Sequence, residues 1–150
     1  MEKAVFANLE GSSVVIIAAA VSDYRPRVIS ERKIKKGDSD TSLALERTED
    51  ILGRLGKRKR NRILVGFAAE TEDLVANAQK KLKGKNLDLI VANDVTRPGA
   101  GFDSDTNEVK ILYPSGEVKD LPMMSKREVS RLILDDVVSL LRRKKRSKRN

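Results

Sequence analysis

The residues with the clearest chemical potential in this chain follow an apolar run near its N-terminus. Residues 14–20 read VVIIAAA, a polar stretch containing Asp23 comes next, and the lysine-rich segment KIKK begins ten residues later at Lys33. The run does not alternate polar and apolar residues, which is typical of a parallel strand covered on both faces. Because ligands of α/β folds bind at the carboxyl ends of such strands, we expect Asp23 and Lys33 to lie where an anionic nucleotide binds.

The composition restricts which reactions this chain could catalyse. Its 150 residues contain no histidine and no cysteine. That excludes disulfides, thiolate nucleophiles, imidazole acid–base catalysis and zinc sites built from those ligands. Phosphoryl and nucleotidyl transfer stay compatible, since the substrate brings the nucleophile and the protein mainly positions charge. The lack of cysteine fits a cytoplasmic protein, the location we expect. No apolar run approaches the length of a membrane span, so we expect no membrane partner.

The positive charge of the chain is concentrated at its C-terminus. The formal net charge is +9, and seven of the cations lie in residues 142–150, so removing them leaves 9 − 7 = +2. We predict one domain over residues 1–141 and a basic, disordered tail over 142–150. Aromatic residues make up only 3% of the chain, which gives no stacking platform for single-stranded nucleic acid. We therefore do not expect nucleic acid as a partner, although contact through the tail stays open as an alternative.

Hydrophobic periodicity predicts an α/β fold that would position these residues. The predicted order, strand, arm, strand, helix, strand, hairpin and helix, indicates three layers around a Rossmann-like, mainly parallel sheet with a C-terminal β-hairpin and helix. Thr71 is a candidate cap for the third helix, and Ser125 with Glu128 forms a capping box before the last one. The predicted strands are 14–20, 42–46, 63–68, 87–92, 108–112 and 117–119, and the predicted helices end near residue 9 or begin near residues 51, 72 and 126.

Six segments, taken in order, resemble bacterial phosphopantothenoylcysteine synthetase, the C-terminal half of the bifunctional coenzyme A biosynthesis flavoprotein. The resemblance runs from about Ala4 to Val138 and implies that family's ribokinase-like domain. The family's Gly-rich N-terminal segment and its flavin-binding decarboxylase half are not matched. We therefore expect the N-terminal portion of the domain to be missing and the 150 residues to be a poor catalyst alone. The six segments are residues 23–36, 49–50, 66–71, 91–95, 101–107 and 124–126.

The resemblance implies a two-step ligase of coenzyme A biosynthesis. CTP with Mg²⁺ activates the carboxylate of 4'-phosphopantothenate as an acyl-cytidylate and releases pyrophosphate. The amine of L-cysteine then attacks, giving the amide and CMP. FMN belongs only to the absent decarboxylase domain. The resemblance also implies a homodimer, and it leaves the metal ligands unknown.

The same resemblance assigns candidate roles to individual residues. Lys33 and Asn93 match positions implied to be catalytic, and a larger set matches positions implied to contact the nucleotide. Each also has a purely structural interpretation: Asp23 could cap a turn, Asn93 could form one, and Lys81 could favour a helix C-terminus. The segment RTEDIL departs from the usual Asn-Pro-Asp-Ile-Leu, which weakens the assignment there. The implied nucleotide-contacting set is Ile17, Ala18, Ala19, Asp23, Lys33, Glu49, Asp50, Ile51, Leu52, Phe67, Lys81 and Lys85.

Three other functional classes stay open at this point. A basic nucleic-acid-binding module would depend on the C-terminal cations. A Rossmann-type dehydrogenase would bind NAD(P), but the chain lacks the GxGxxG fingerprint. A non-catalytic dimerisation domain would keep the fold without binding a ligand.

Overall fold

The computed structural model describes residues 1–34, 42–94 and 104–147. They divide into two compact units: a sheet unit, residues 1–19 with 51–150, and an arm unit, residues 20–50. No helix within the described ranges is long and apolar enough to cross a membrane. The elements in chain order are α1 (Glu2–Ala7), β1 (Val14–Ile17), β2 (Tyr24–Pro26), β3 (Leu45–Arg47), α2 (Ile51–Lys57), β4 (Ile63–Glu70), α3 (Leu74–Gly84), β5 (Leu89–Asp94), β6 (Thr106–Leu112), β7 (Val118–Ser125) and α4 (Lys126–Ser147).

The sheet unit contains a five-stranded sheet in the order β1-β4-β5-β6-β7. β1, β4 and β5 are parallel, whereas β6 and β7 form an antiparallel hairpin on the β5 side. The carboxyl ends of the three parallel strands therefore lie at one edge, which we call the carboxyl edge. The start of β6 and the end of β7 also lie there, because Thr106 pairs with Ser125. The opposite end is the amino edge.

Two apolar clusters cover the two faces of the sheet. On one face, α2 and α3 contribute Leu55 and Leu82 to a cluster that includes Leu64 and Ile90 of the sheet. On the other face, α4 packs Ile133 and its buried neighbours against the alternate residues of the same strands. Successive residues of β4 and β5 thus enter opposite clusters, as expected for strands covered on both sides. The prediction of a three-layer α/β fold with a C-terminal hairpin and helix is confirmed.

The last helix is longer than the sequence predicts. α4 continues through Ser147, so the expected disorder from residue 142 is wrong for residues 142–147. The reason is a tertiary contact: Lys144 Nζ lies 3.1 Å from the Asp88 carboxylate and donates to the Arg62 carbonyl oxygen at 2.8 Å. These bonds hold the last turns of α4 at the amino edge of the sheet. Residues 148–150 lie outside the described residues.

The predicted helix starts have different outcomes. The capping box is confirmed, since Ser125 Oγ accepts from the Glu128 amide at 3.2 Å and the Glu128 carboxylate accepts from the Ser125 amide at 3.0 Å. Hydrogen bonds from Ser125 hold the pKa of Glu128 below its usual value. The cap predicted at Thr71 is wrong, because the N-cap of α3 is Asp73, in the left-handed region at φ 46°.

The arm unit is built on one short antiparallel pair. β2 pairs with β3, placing Tyr24 opposite Arg47 and Arg25 opposite Glu46. The Arg25 guanidinium donates to the Glu46 carboxylate at 2.7 Å. The arm that the sequence predicts between its first two strands therefore contains a short strand of its own, and residues 35–41 fall outside the described ranges.

Candidate functional site

The carboxyl edge of the sheet collects candidate residues from all three parallel strands. Ile17 ends β1, and Ala18 and Ala19 follow it with exposed side chains. Phe67 lies near the end of β4, and Asn93 lies near the end of β5. Parallel pairing makes this convergence necessary, since strands running in one direction end at one edge. It is also where open α/β sheets bind their ligands.

Phe67 and Asn93 lie on the same face of the sheet. β4 and β5 are in register with Phe67 opposite Val91 and Ala69 opposite Asn93. Val91 belongs to the cluster under α4, and side chains two residues apart in a strand share a face. Phe67 is 38% exposed, unlike the buried Val65 two residues earlier. A half-open aromatic ring beside an amide side chain at a strand end can contact a flat, polar ligand.

The side-chain oxygen of Asn93 is buried and has no hydrogen-bond partner within the described part of the chain. A buried acceptor without a donor costs about 1–3 kcal/mol, and such groups are uncommon in folded proteins. A ligand that brings an N–H or O–H donor to this oxygen would remove that cost. Asn93 is therefore a candidate ligand-contacting residue on structural grounds, independently of the family motif.

The Lys81 side chain reaches the carboxyl edge, whereas the Lys85 main chain lies near the amino edge. Lys81 Nζ donates to the Glu70 carboxylate at the end of β4, at 2.6 Å. Lys85 is the C-cap of α3, and its carbonyl oxygen lies against the Gly56 backbone of α2, close to the start of β4. The sequence spacing places both lysines on one helical face, but the helix runs from the carboxyl edge toward the amino edge. Their main chains lie one helical turn apart, because the Lys85 amide donates to the Lys81 carbonyl oxygen at 3.0 Å, so the contact with Glu70 depends on the length of the Lys81 side chain.

The start of α2 offers backbone groups, not side chains. Ile51 is buried in the core at 6% exposure. Leu52 packs on Gly66, where an added Cβ would stand 2.7 Å from Leu52 Cδ2. The side chain of Ile17 likewise packs against the cluster on the α2 and α3 face. Any contact that these three residues make with a nucleotide must come from their main chains.

The arm unit holds the remaining candidates. Asp23 precedes β2, and its carbonyl oxygen accepts from the Thr48 amide at 2.9 Å. This bond brings the chain at Asp23 alongside Thr48, next to Glu49 and Asp50. Lys33 is exposed and lies outside the regular pairing of this unit. The structure thus groups Asp23 with Glu49 and Asp50 but not with Lys33. Lys35 and Lys36 fall outside the described residues.

Sequence reasoning assigned no role to Glu70, which the structure identifies as the partner of Lys81. Its side chain is only 12% exposed, whereas that of Lys81 is 44% exposed. The available signal was the position of an acidic residue at the end of an apolar strand. That position indicates a partner only in the folded chain, because α3 packs back along β4 and brings Lys81 to Glu70.

A protein-only metal centre has no support in the parts of the chain that are described. No group of three or more His, Cys, Asp or Glu side chains in residues 1–34, 42–94 and 104–147 could hold a metal ion. Mg²⁺ is commonly bound through one or two carboxylates together with substrate phosphates and water.

Three comparisons place the chain among known proteins. A family model, that of the DNA/pantothenate metabolism flavoprotein C-terminal domain, matches residues 1–141. The coenzyme A biosynthesis bifunctional protein CoaBC of Bacillus subtilis (strain 168) is 50% identical over 140 residues, which cover 93% of this chain and 34% of that protein. A cysteine/cysteine sulfinic acid decarboxylase from an unknown prokaryotic organism is 43% identical over 129 residues, covering 85% of this chain and 36% of that protein.

A solved structure agrees with the sequence matches. The crystal structure of the C-terminal domain of the coenzyme A biosynthesis bifunctional protein CoaBC superposes with a TM-score of 0.75 at 38% identity, covering 94% of this chain and 61% of that one. The chain spans about a third of the length of the curated relatives it matches, at 34% and 36%. It belongs to the family of the DNA/pantothenate metabolism flavoprotein C-terminal domain.

Proposed function

We propose that this chain forms part of a phosphopantothenate–cysteine ligase of coenzyme A biosynthesis and binds CTP at the carboxyl edge of its sheet. The observation that carries the nucleotide site is the exposed Phe67 ring beside the Asn93 oxygen, which has no partner among the described residues, on the α4 face of that edge. The Lys81–Glu70 pair lies at the same edge on the opposite face. The reaction class comes from family membership and from the name of the Bacillus subtilis relative.

The proposed chemistry has two balanced steps. A carboxylate oxygen of 4'-phosphopantothenate attacks the α-phosphorus of CTP, and pyrophosphate leaves to give the acyl-cytidylate. The amine of L-cysteine then attacks the acyl carbon and loses a proton, and CMP leaves. Both nucleophiles belong to substrates, in keeping with a chain that has no histidine and no cysteine. A magnesium ion carried by the phosphates would neutralise charge on the departing pyrophosphate.

The residues of the carboxyl edge suit distinct parts of this task. The Lys81 ammonium can stabilise phosphate charge, and Glu70 holds it at the end of β4. The buried Asn93 oxygen can accept a hydrogen bond from an amino group, such as that of a cytosine ring or of L-cysteine. The exposed face of Phe67 can stack on a base. Lys33 and Asp23 of the arm unit are further candidates from the family motif.

Calorimetric titration of residues 1–150 with CTP, ATP and NADP in the presence of Mg²⁺ tests the nucleotide site. We expect CTP to bind and Lys81→Gln to weaken that binding by about tenfold or more, as loss of a charge-assisted contact does. Lys33→Gln tests the family-based assignment in the same way. Lys80→Gln is the matched control, since this neighbouring exposed lysine has no hydrogen bond or ion pair among the described residues.

An equal loss of affinity in the Lys80 and Lys81 variants would contradict the proposed site. Tight NADP binding without CTP binding would favour the dehydrogenase alternative. If no nucleotide bound, the proposal that this chain contains a nucleotide site would be wrong. Two further expectations stay predictions: a homodimer, checked by light scattering, and turnover of residues 1–150 alone well below roughly 1 s⁻¹.

A further inference from the structure

Two basic segments that are far apart in the sequence meet at the amino edge of the sheet. The first, residues 57–62, reads KRKRNR and links α2 to β4. The second, residues 142–146, reads RRKKR and ends α4. Lys59 of the first and Lys144 of the second both pair with the Asp88 carboxylate, at 3.0 Å and 3.1 Å. One buried carboxylate thus fastens the two segments side by side.

Only two cations of these segments, Lys59 and Lys144, pair with Asp88. Five others are exposed and make no hydrogen bond or ion pair among the described residues, and we call them the basic surface: Lys57, Arg60, Arg142, Lys145 and Arg146. The three on α4 are spaced three and four residues apart, so they share one face of the helix. Lys144 leaves α4 on another side, toward the sheet. Neither segment contains a carboxylate, so the surface keeps its positive charge.

The chemistry of this surface selects among anionic partners. The ring of Phe6 lies beneath the guanidinium groups of Arg54 and Arg58, at 5.1 Å and 5.3 Å from its centroid. That ring is therefore covered and cannot stack on an unpaired base. The apolar stripe of α4, including Ile133 and Val137, is buried in the core. A helix that binds a lipid surface needs a continuous exposed apolar face to insert, whereas the large apolar side chains that α4 exposes are Leu134 and Val138, at 53% and 43%.

We propose that the basic surface binds the phosphate backbone of double-stranded nucleic acid without sequence preference. Guanidinium and ammonium groups bind the phosphates of a duplex without reading its bases. The proposal differs from the expectation drawn from the sequence, which assumed a disordered tail. The structure replaces that tail with an ordered helix end beside a second basic segment. The surface lies at the edge opposite Phe67 and Asn93, so it does not depend on the nucleotide site.

The test is fluorescence anisotropy of a labelled DNA duplex of about 20 base pairs, titrated with the full chain at several KCl concentrations. Each phosphate contact contributes about −0.9 to the slope of log K against log salt, so five cations predict a slope of roughly −4.5. Arg142→Gln/Arg146→Gln should reduce its magnitude by about 2. This variant keeps Lys144 and therefore keeps the ion pair with Asp88.

The matched control is Arg127→Gln/Arg131→Gln on the same helix. It has the same residue types, the same spacing and the same change of charge, but it lies about 22 Å away along α4. We expect its slope to equal that of the unmodified chain. A second variant, Lys57→Gln/Arg60→Asn, tests the other segment. Asn is chosen because residue 60 has φ 51°, which asparagine tolerates well.

The outcomes separate the alternatives. A reduced slope in both surface variants, with an unchanged control, supports the proposal. An equal reduction in the control would show that binding depends on net charge alone and would overturn it. Absence of duplex binding at 50 mM KCl and about 100 μM protein would also overturn it. So would tighter binding to phosphatidylserine vesicles than to the duplex, since the partner would then be a lipid surface.

Discussion

Asp88 and Asn93 lie at opposite edges of the same sheet, and their side-chain oxygens differ in how many hydrogen-bond donors they contact. The Asp88 carboxylate accepts from the Leu64 amide at 2.8 Å and pairs with Lys59 and Lys144. The Asn93 oxygen is equally hidden but has no donor among the described residues. The amino edge has its buried polar group satisfied within the chain, whereas the carboxyl edge leaves one to be satisfied from outside. This contrast teaches that the amino edge uses its buried carboxylate to hold the fold, and it supports the proposed ligand site at the carboxyl edge.

A second polar network reinforces the amino edge. The Tyr113 hydroxyl donates to the Asp136 carboxylate at 2.8 Å, which also receives Lys119 Nζ at 3.3 Å. Burial, and then the hydrogen bond to Asp136, raise the pKa of Tyr113 well above its usual range. The phenol therefore stays protonated and keeps donating to α4. The turn of the β6–β7 hairpin is thereby tied to the last helix.

The largest expected loss of stability comes from a substitution at the amino edge. Asp88→Asn removes the charge that two lysines share and should lower the free energy of unfolding by about 3 kcal/mol. Urea denaturation followed by circular dichroism measures it. Asp120→Asn is the control, because Asp120 is 69% exposed in its pair with Lys110 and should cost less than about 1 kcal/mol. Similar losses in the two variants would show that Asp88 is not special.

A smaller effect is expected where the carboxyl edge meets α4. Ser125→Ala removes the helix cap and should cost about 1 kcal/mol in the free energy of unfolding. The substitution should also raise the pKa of Glu128 toward its ordinary value of 4.5. Because the pKa of Glu128 is lowered in the folded state, its contribution is present above the unfolded pKa and is lost as pH falls through the folded pKa. Carbon-detected NMR titration of Glu128 checks the shift, and an unchanged pKa would contradict the assigned cause.

The smallest stability effect is expected at Asn93 itself. Asn93→Ala removes no hydrogen bond among the described residues and removes an unsatisfied acceptor, so it should not lower the free energy of unfolding by more than about 0.5 kcal/mol, while it weakens CTP binding. Asn77→Ala is the matched control, because Asn77 Nδ2 donates to the Glu72 carbonyl at 2.9 Å and its loss should cost about 1 kcal/mol. If Asn93→Ala destabilised the fold by more than about 2 kcal/mol, the side chain would be structural and the contrast between the edges would fail.

The ordering of these effects follows from how much each group depends on the fold. Asp88 has three donors that only the folded chain supplies, and Ser125 has one local partner in the next turn. Asn93 has none within the described residues. Stability and ligand binding are therefore expected to respond to different substitutions.

Local chemistry in the sequence was sufficient for the elements and for part of the site. Uninterrupted apolar runs predicted β4 and β5, and the Ser125–Glu128 spacing predicted the start of α4, because both signals depend on residues close in the chain. The convergence of Phe67 and Asn93 followed from parallel strands ending at one edge. Whether these residues bind CTP stays a prediction.

Only the tertiary structure decided the rest. It decided which end of the sheet the last turn of α3 approaches, because the direction of the helix relative to the sheet is set by packing and not by the spacing of its lysines. It paired Lys81 with Glu70, and it ordered residues 142–147 by joining Lys144 to a carboxylate far away in the sequence. Charge runs read alone predict solvation or disorder, because the sequence does not show which buried carboxylate will face them. The sequence determined which segments are strands and helices, and the fold decided which of their charges are used to hold it together.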